Sequence, residues 1–144
     1  TSLTTAPIIP NGVTNMKGTF LGCTSLTTAP IIPNGVTNMY TTFSGCESLT
    51  AAPTIPSSVT NMTGTFFKCT SLTTAPVIPS SVTNIKNTFK GCASLTGTIE
   101  INANPSYFED CFNRTYEQIT LTGTSTMLNE LAATSQSGNI TVAQ

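Results

Sequence analysis

A tandem repeat constrains the fold of this chain more than any other feature of its sequence. The segment 1–23 recurs in register as 24–46, 47–69 and 70–92, and its first two copies differ at only three positions. Tandem units of this length indicate a solenoid, because a single unit cannot bury its apolar face and neighbouring units stack to share a core. We therefore predict four stacked coils over residues 1–92 and a different region over residues 93–144.

Columns that do not change between the units predict which side chains face the core. Val13, Met16, Phe20 and Cys23 are spaced like one face of a helix, and Pro10 marks a turn before them. Each unit is therefore expected to hold a short strand, a turn and a short helical arc. The predicted core ladder comprises Leu3, Leu26, Leu49, Leu72, Leu95, Phe20, Phe43, Phe66, Phe89, Phe108, Cys23, Cys46, Cys69, Cys92 and Cys111.

The rhythm changes after residue 92. Leu95 opens a fifth unit that Phe108 and Cys111 close, which predicts a shortened fifth repeat over 93–111. Asn104–Pro105 is typical of a helix start, and Ser125 can cap a second helix over residues 125–133. Strands are expected at 98–101, 118–122 and 140–142. These elements should close the end of the solenoid, which otherwise exposes apolar core and an unpaired strand edge.

Composition and charge argue against several classes of protein. The net charge is −1 and only 8% of residues are charged, so the basic surface that nucleic acid or an anionic membrane requires is missing. No run approaches the ~18 apolar residues of a membrane helix. The chain has no histidine, the commonest proton shuttle at neutral pH, and we expect neither an enzyme nor a cofactor.

The five cysteines are interpreted as buried thiols that fill space in the core. Their spacing lacks the paired ligands of a zinc site, so we predict no metal. A disulfide or reactive ladder is the alternative, because stacked coils bring equivalent Cα atoms to ~5 Å, within the range of a disulfide. A column of asparagines (Asn15, Asn38, Asn61 and Asn84) is expected to hydrogen-bond to backbone across the coils.

The pattern Ile9-Pro10-x-x-Val13-Thr14-x-Met16-x-x-x-Phe20-x-x-Cys23-x-x-Leu26 recurs through residues 1–92. It resembles the BspA-like leucine-rich repeat of bacterial surface proteins, from which the Thr-Ala-Pro segment departs. The resemblance implies a curved, right-handed solenoid of α/β leucine-rich-repeat type, with parallel strands on one face and turns and helical arcs on the other. It also implies secretion or surface display, a role in adhesion or protein binding, and no enzymatic activity.

We interpret the chain as part of a longer extracellular protein, in which it is a non-catalytic module for adhesion or macromolecular recognition. The alternative is a structural subunit or spacer of an extracellular fibre or phage appendage, favoured by the near-identity of the first two units. Expected partners are a protein or glycan surface, or other copies of the chain. The candidate binding face comprises Thr5, Thr28, Thr74, Pro7, Pro30, Pro53 and Pro76, together with the variable arc column Lys17, Tyr40, Thr63 and Lys86.

Overall fold

The computed structural model describes residues 2–143 as a stack of parallel coils. Thr1 and Gln144, at the ends of the predicted first unit and of the predicted cap, lie outside the described residues. Equivalent residues of neighbouring coils form parallel bridges one repeat period apart, and the Asn15 column is bridged from the first coil to Tyr107 in the fifth. The chain is therefore a repeat solenoid, in which each coil is held by its neighbours.

The arc of each coil is a run of tight turns, and the predicted short helix does not form. Gly18 has φ of 63° and Gly22 has φ of 69°, and left-handed residues interrupt a right-handed helix. Backbone N–H groups alternate between two kinds of acceptor. The Thr19 N–H donates to the Met16 carbonyl of its own coil, whereas the Phe20 N–H donates to a carbonyl of the next coil. Side chains at helical spacing thus face the core without helical hydrogen bonding.

The fifth coil keeps the full period, so the prediction of a shortened fifth repeat is wrong. Ile101 and Tyr107 each bridge to the residue one full period earlier, in the fourth coil. Phe112, and not Phe108, stacks on the preceding phenylalanine ring, with the centroids 5.5 Å apart. In the fifth coil Thr115 stands at the position of the cysteine column. Cys111 is buried but lies four residues before that position in the chain. The Phe-x-x-Cys motif of this coil is a chance match that is out of period.

Side-chain ladders run through the stack and form its core. One phenylalanine from each of the five coils stacks on the next. The ring centroids of neighbours lie 5.4 to 5.7 Å apart, and their planes are within 11° of parallel. A leucine ladder beside them is fully buried at Leu26, Leu49, Leu72 and Leu95. Leu3, which the sequence placed in this ladder, is 38% exposed, because within the described residues its coil has a neighbour on one side only.

Regular strands and a helix occur in the C-terminal part of the described chain. Strands β1 (Gly97–Glu100), β2 (Ile119–Thr122) and β3 (Ile140–Val142) form a parallel sheet in that order. Helix α1 (Leu128–Ala132) packs against β2 and β3 and buries Leu131. In the preceding coils the parallel pairing is limited to isolated bridges, so the continuous strands expected on one face of the repeats are absent from residues 2–92.

Two predicted helix starts differ from the structure. Helix α1 begins three positions later than expected, and Ser125 does not cap it; the Ser125 hydroxyl accepts the Met127 N–H in a turn before the helix. No helix forms after Asn104–Pro105, because Asp110 adopts a positive φ of 56° and the segment continues the turns of the arc. The equivalence of this segment to the earlier arcs overrides its local helix signals.

Candidate functional site: the proline groove

The proline-rich segments of the first four coils lie side by side and form a surface that we call the proline groove. It comprises residues 6–11, 29–34, 52–57 and 75–80. Open notches of about 290, 440 and 600 Å³ separate consecutive coils along it. Alanine, proline and isoleucine side chains line each notch, and the largest notch is lined also by Ser57, Ser80 and by Asn102 of the fifth coil. The groove is therefore periodic and largely apolar.

Proline explains why the coils stay apart here. In the fifth coil Asn102 stands where the fourth coil has Pro79, and the Asn102 N–H donates to the Ile78 carbonyl at 2.9 Å. The Ile78 N–H in turn donates to the Glu100 carbonyl at 2.9 Å, which joins these two coils. A proline has no N–H to donate. The donor equivalent to that of Asn102 is missing at Pro33, Pro56 and Pro79, so the first four coils lack this bond, although the Ala52 N–H donates to the Thr74 carbonyl at the start of the segment.

Exposed aliphatic side chains project beside the notches. Ile8 is 95% exposed and Ile31 is 90% exposed, and Val77 occupies the same column in the fourth coil with 48% exposure. The sequence analysis did not single out this column. The signal that could have found it is Thr54, because a column that accepts threonine is expected to face solvent. We call Ile8, Ile31 and Val77 the aliphatic row; Thr54 separates Ile31 from Val77, and exposed aliphatic side chains grouped in this way indicate an interaction surface more than single scattered ones do.

The predicted strand-side residues lie at the border of the groove. Thr5, Thr28 and Thr74 are exposed, and Pro7 is exposed in the first coil. Pro53 is half-buried, whereas Pro30 and Pro76 are buried and contribute walls rather than contact surface. The structure thus brings these columns together, but it offers the aliphatic row for contact more than the prolines.

The variable arc column lies on a different part of the coil surface. Lys17, Tyr40 and Lys86 are exposed and Thr63 is half-buried. The Lys17 ammonium lies 5.2 Å from the centre of the Tyr40 ring, a cation–π contact between neighbouring coils. These residues do not line the proline groove. The two predicted surfaces are therefore separate.

The asparagine column has a local role that differs from the expected one. The side-chain oxygen of Asn15 accepts the N–H of Lys17, two positions later in the same coil, at 2.9 Å. Asn38 and Asn61 repeat this contact at the same distance, so each asparagine closes a turn within its own coil. Bonding across the coils comes from the backbone of this column and from threonine hydroxyls such as Thr37.

All five cysteines are free and buried. The thiol of Cys69 donates to the Phe43 carbonyl of the preceding coil at 3.1 Å, and Cys46 and Cys92 repeat this contact. Burial raises the pKa of Cys46 and of Cys92 to about 12, so these thiols stay protonated at neutral pH. Thiolate is the reactive form of cysteine, so these thiols are expected to react slowly.

Within residues 2–143, no three acidic, cysteine or histidine side chains are placed to hold a metal ion. Nor does that part of the chain contain a helix with the length and hydrophobicity of a membrane span. The adjacent acids Glu109 and Asp110 lie on a turn, where Asp110 pairs with the Lys90 ammonium at 2.6 Å. The hydrogen bond from Lys90 is the main cause that lowers the pKa of Asp110.

The stacked equal coils and the side-chain ladders define the chain as a repeat solenoid. The profile of the BspA-type leucine-rich repeat region matches residues 1–120 in six copies. The chain belongs to this family, which confirms the resemblance seen in the sequence. No curated protein and no solved structure matches the chain.

Proposed function

We propose that this chain is a non-catalytic recognition module that binds a protein through the proline groove. The observation that carries the proposal is the exposed aliphatic row, in which the Ile8 and Ile31 side chains lie almost entirely in solvent. The family supports a role in recognition or adhesion. The proposal includes display at a bacterial surface or secretion, which the same family membership supports. It also includes a capping role for the C-terminal coils.

The groove suits a protein partner for physical reasons. Covering two exposed isoleucines removes apolar surface from water, at roughly 25 cal/mol for each Å². The notches beside them expose backbone carbonyl groups. The residue of the neighbouring coil that would donate to each of these carbonyls is a proline, which has no N–H. An extended segment could therefore place aliphatic side chains in the notches and donate N–H groups to those carbonyls, in the manner of strand addition.

The test compares two exposed aliphatic positions on different faces. Ile31→Asp puts a charge into the groove, and Leu21→Asp puts the same charge on the arc, where Leu21 is 58% exposed. We expect Ile31→Asp to weaken binding to immobilised extracellular proteins by about tenfold or more, and Leu21→Asp to leave it unchanged. Both variants should melt like the original chain. Equal binding by the two variants would exclude the groove as the binding surface.

A structural subunit of a fibre or phage appendage is the second candidate, because the first two coils differ at only three positions. A binding surface often diversifies from coil to coil, whereas a spacer does not need to. Light scattering after size exclusion, over a range of concentration, separates the two functions. A mass that stays at one chain supports recognition, and a mass that grows without limit supports the structural subunit.

A further inference from the structure

A further cavity lies on the arc side of the stack, away from the proline groove. We call it the arc notch; it spans the third, fourth and fifth coils and has a volume of about 230 Å³. Gly91 of the fourth coil and Ala93, the first residue of the fifth, are its smallest lining residues. Its lining is Phe67, Lys68, Thr70, Lys90, Gly91, Ala93, Arg114 and Tyr116.

The arc notch concentrates the positive charge of the molecule. Three of the five cationic side chains of the chain line it, namely Lys68, Lys90 and Arg114. Lys90 pairs with Asp110 in the one salt bridge within residues 2–143, so Lys68 and Arg114 have no carboxylate partner there. Two exposed, unpaired cations on the walls of one cavity are suited to a ligand with a negative charge.

The backbone of both cations adopts an unfavourable conformation. Lys68 has φ of 57° and Arg114 has φ of 61°, in a column where the other coils have Gly22, Gly45 and Gly91. A side chain in the left-handed region is strained, and glycine avoids that cost. Two cationic side chains therefore occupy glycine positions on the two sides of Gly91. A Cβ added to Gly91 would meet Lys68 Cγ at 3.3 Å, so the absence of a side chain there keeps the cavity open.

Two aromatic rings complete the cavity. Tyr116 is 60% exposed, and Phe67 is half-buried with the Lys68 ammonium 5.4 Å from its ring centre. Aromatic rings pack against the apolar face of a pyranose, and a tyrosine hydroxyl adds a polar contact at the edge. The volume is below the ~300–1,000 Å³ of pockets for drug-sized ligands, which suits a single sugar ring.

We propose that the arc notch binds an acidic sugar, whose ring packs against Tyr116 and Phe67 while its carboxylate or sulfate pairs with Lys68 and Arg114. The site lies on a different surface from the proline groove and does not depend on a protein partner. Lys90 is held by Asp110 and forms part of the wall. Neutral sugars lack the group that pairs with the two free cations, so they should bind much more weakly.

The test uses two probes that differ only in the acidic group, methyl glucuronide and methyl glucoside, titrated into the whole chain and followed by NMR. We expect the glucuronide to shift the amide signals of Ala93, Arg114 and Tyr116, and the glucoside to shift them little. Arg114→Gln should weaken glucuronide binding by at least about fivefold. Lys17→Gln is the matched control, because it removes the same charge from a lysine that lies over Tyr40 and outside the notch.

A second pair of variants protects the test against loss of the fold. Lys68→Gly and Arg114→Gly restore the residue that the column uses in other coils, so both should fold while binding is lost. Equal binding of the two methyl glycosides, equal weakening by Lys17→Gln, or no glucuronide binding by the folded original chain would overturn the proposal. Inorganic sulfate that binds as tightly as the glucuronide would overturn the assignment to a sugar.

Discussion

Each of the five arcs has left-handed backbone at the same two positions, which are positions that favour glycine. The two columns hold Gly18, Thr41, Gly64, Asn87 and Asp110, and Gly22, Gly45, Lys68, Gly91 and Arg114. In the first four coils the N–H of each such residue donates to a carbonyl of the next coil, and the N–H that follows it donates within its own coil. Asparagine and aspartate tolerate this conformation better than threonine, lysine or arginine. The bonds between coils hold the less suited residues in place.

Replacing Lys68 by glycine is expected to stabilise the fold. The substitution relieves about 1–2 kcal/mol of left-handed strain and costs part of that in the entropy of the unfolded chain, for a net gain of about 0.5–1 kcal/mol. Urea unfolding measures the change. Lys86→Gly is the control, because Lys86 is an exposed lysine outside the left-handed columns, and that variant should be less stable than the original chain. A loss of stability in Lys68→Gly would contradict the expected strain.

Replacing Phe43 by alanine tests the stacked ring ladder. Phe43 is fully buried, and its ring lies between those of Phe20 and Phe66 at 5.4 and 5.7 Å. The loss of its apolar contacts, together with the cavity left behind, should destabilise the protein by about 3–5 kcal/mol. Tyr40→Ala removes an aromatic ring that is 38% exposed, and should cost far less. Similar melting of the two variants would place Phe43 outside the core.

At the scale of the element, each arc is held by polar ladders as well as by apolar packing. The buried hydroxyl of Thr65 donates to the Met39 carbonyl of the preceding coil at 2.9 Å, and lies 2.8 Å from the Met62 carbonyl of its own coil. The Cys69 thiol makes the equivalent contact to the coil before it. The Met39 and Phe43 carbonyls each accept a backbone N–H of their own coil as well, so the hydroxyl and the thiol add a second hydrogen bond that links the coils.

Stability should fall in alkaline solution because of the thiol ladder. The unfolded chain loses the thiol protons near pH 9, whereas Cys46 and Cys92 keep them in the folded state up to about pH 12. Between those values the unfolded state binds fewer protons, so the free energy of unfolding falls as pH rises. Each thiol contributes about 1.4 kcal/mol for each pH unit. Urea unfolding at increasing pH measures this slope.

Cys92→Ala is the control for the alkaline slope. Removing one thiol should make the fall shallower by about 1.4 kcal/mol for each pH unit, whatever the variant loses in overall stability. An unchanged slope in this variant would mean that the thiols do not cause the loss of stability at high pH.

At the scale of the whole molecule, the constant period of the repeat matters more than the content of any single coil. Each coil contacts only its neighbours, so stability is approximately a sum over coils and over the interfaces between them. The same backbone bonds and the same ring stacking recur from the first coil to the fifth. Whole coils should therefore be removable.

Deleting residues 24–46 should leave a folded, shorter solenoid. The deletion joins Cys23 to Glu47 in the same register as the original junction between coils, so the phenylalanine and leucine ladders stay continuous. We expect unchanged far-ultraviolet circular dichroism for each residue and a lower melting temperature. Deleting residues 24–35 is the control, because it breaks the period and should abolish cooperative unfolding. Loss of folding in both deletions would contradict the additive description.

The period, the choice of ladder residues in the first four units and the family could be obtained from the sequence. Repeats that stack must be equal in length, so a constant spacing of Phe20 and its equivalents points directly to a stack of coils. These properties follow from the spacing of residues along the chain, which can be read from the sequence itself.

Tertiary structure decided the features that depend on where a backbone group finds its partner. The spacing of Met16, Phe20 and Cys23 fits a helix as well as a run of turns, and only the carbonyls of the next coil select the turns. The same contacts place Phe112 rather than Phe108 in the ring ladder. The proline groove and the arc notch arise between coils, because each is bounded by residues of neighbouring repeats that meet only after stacking.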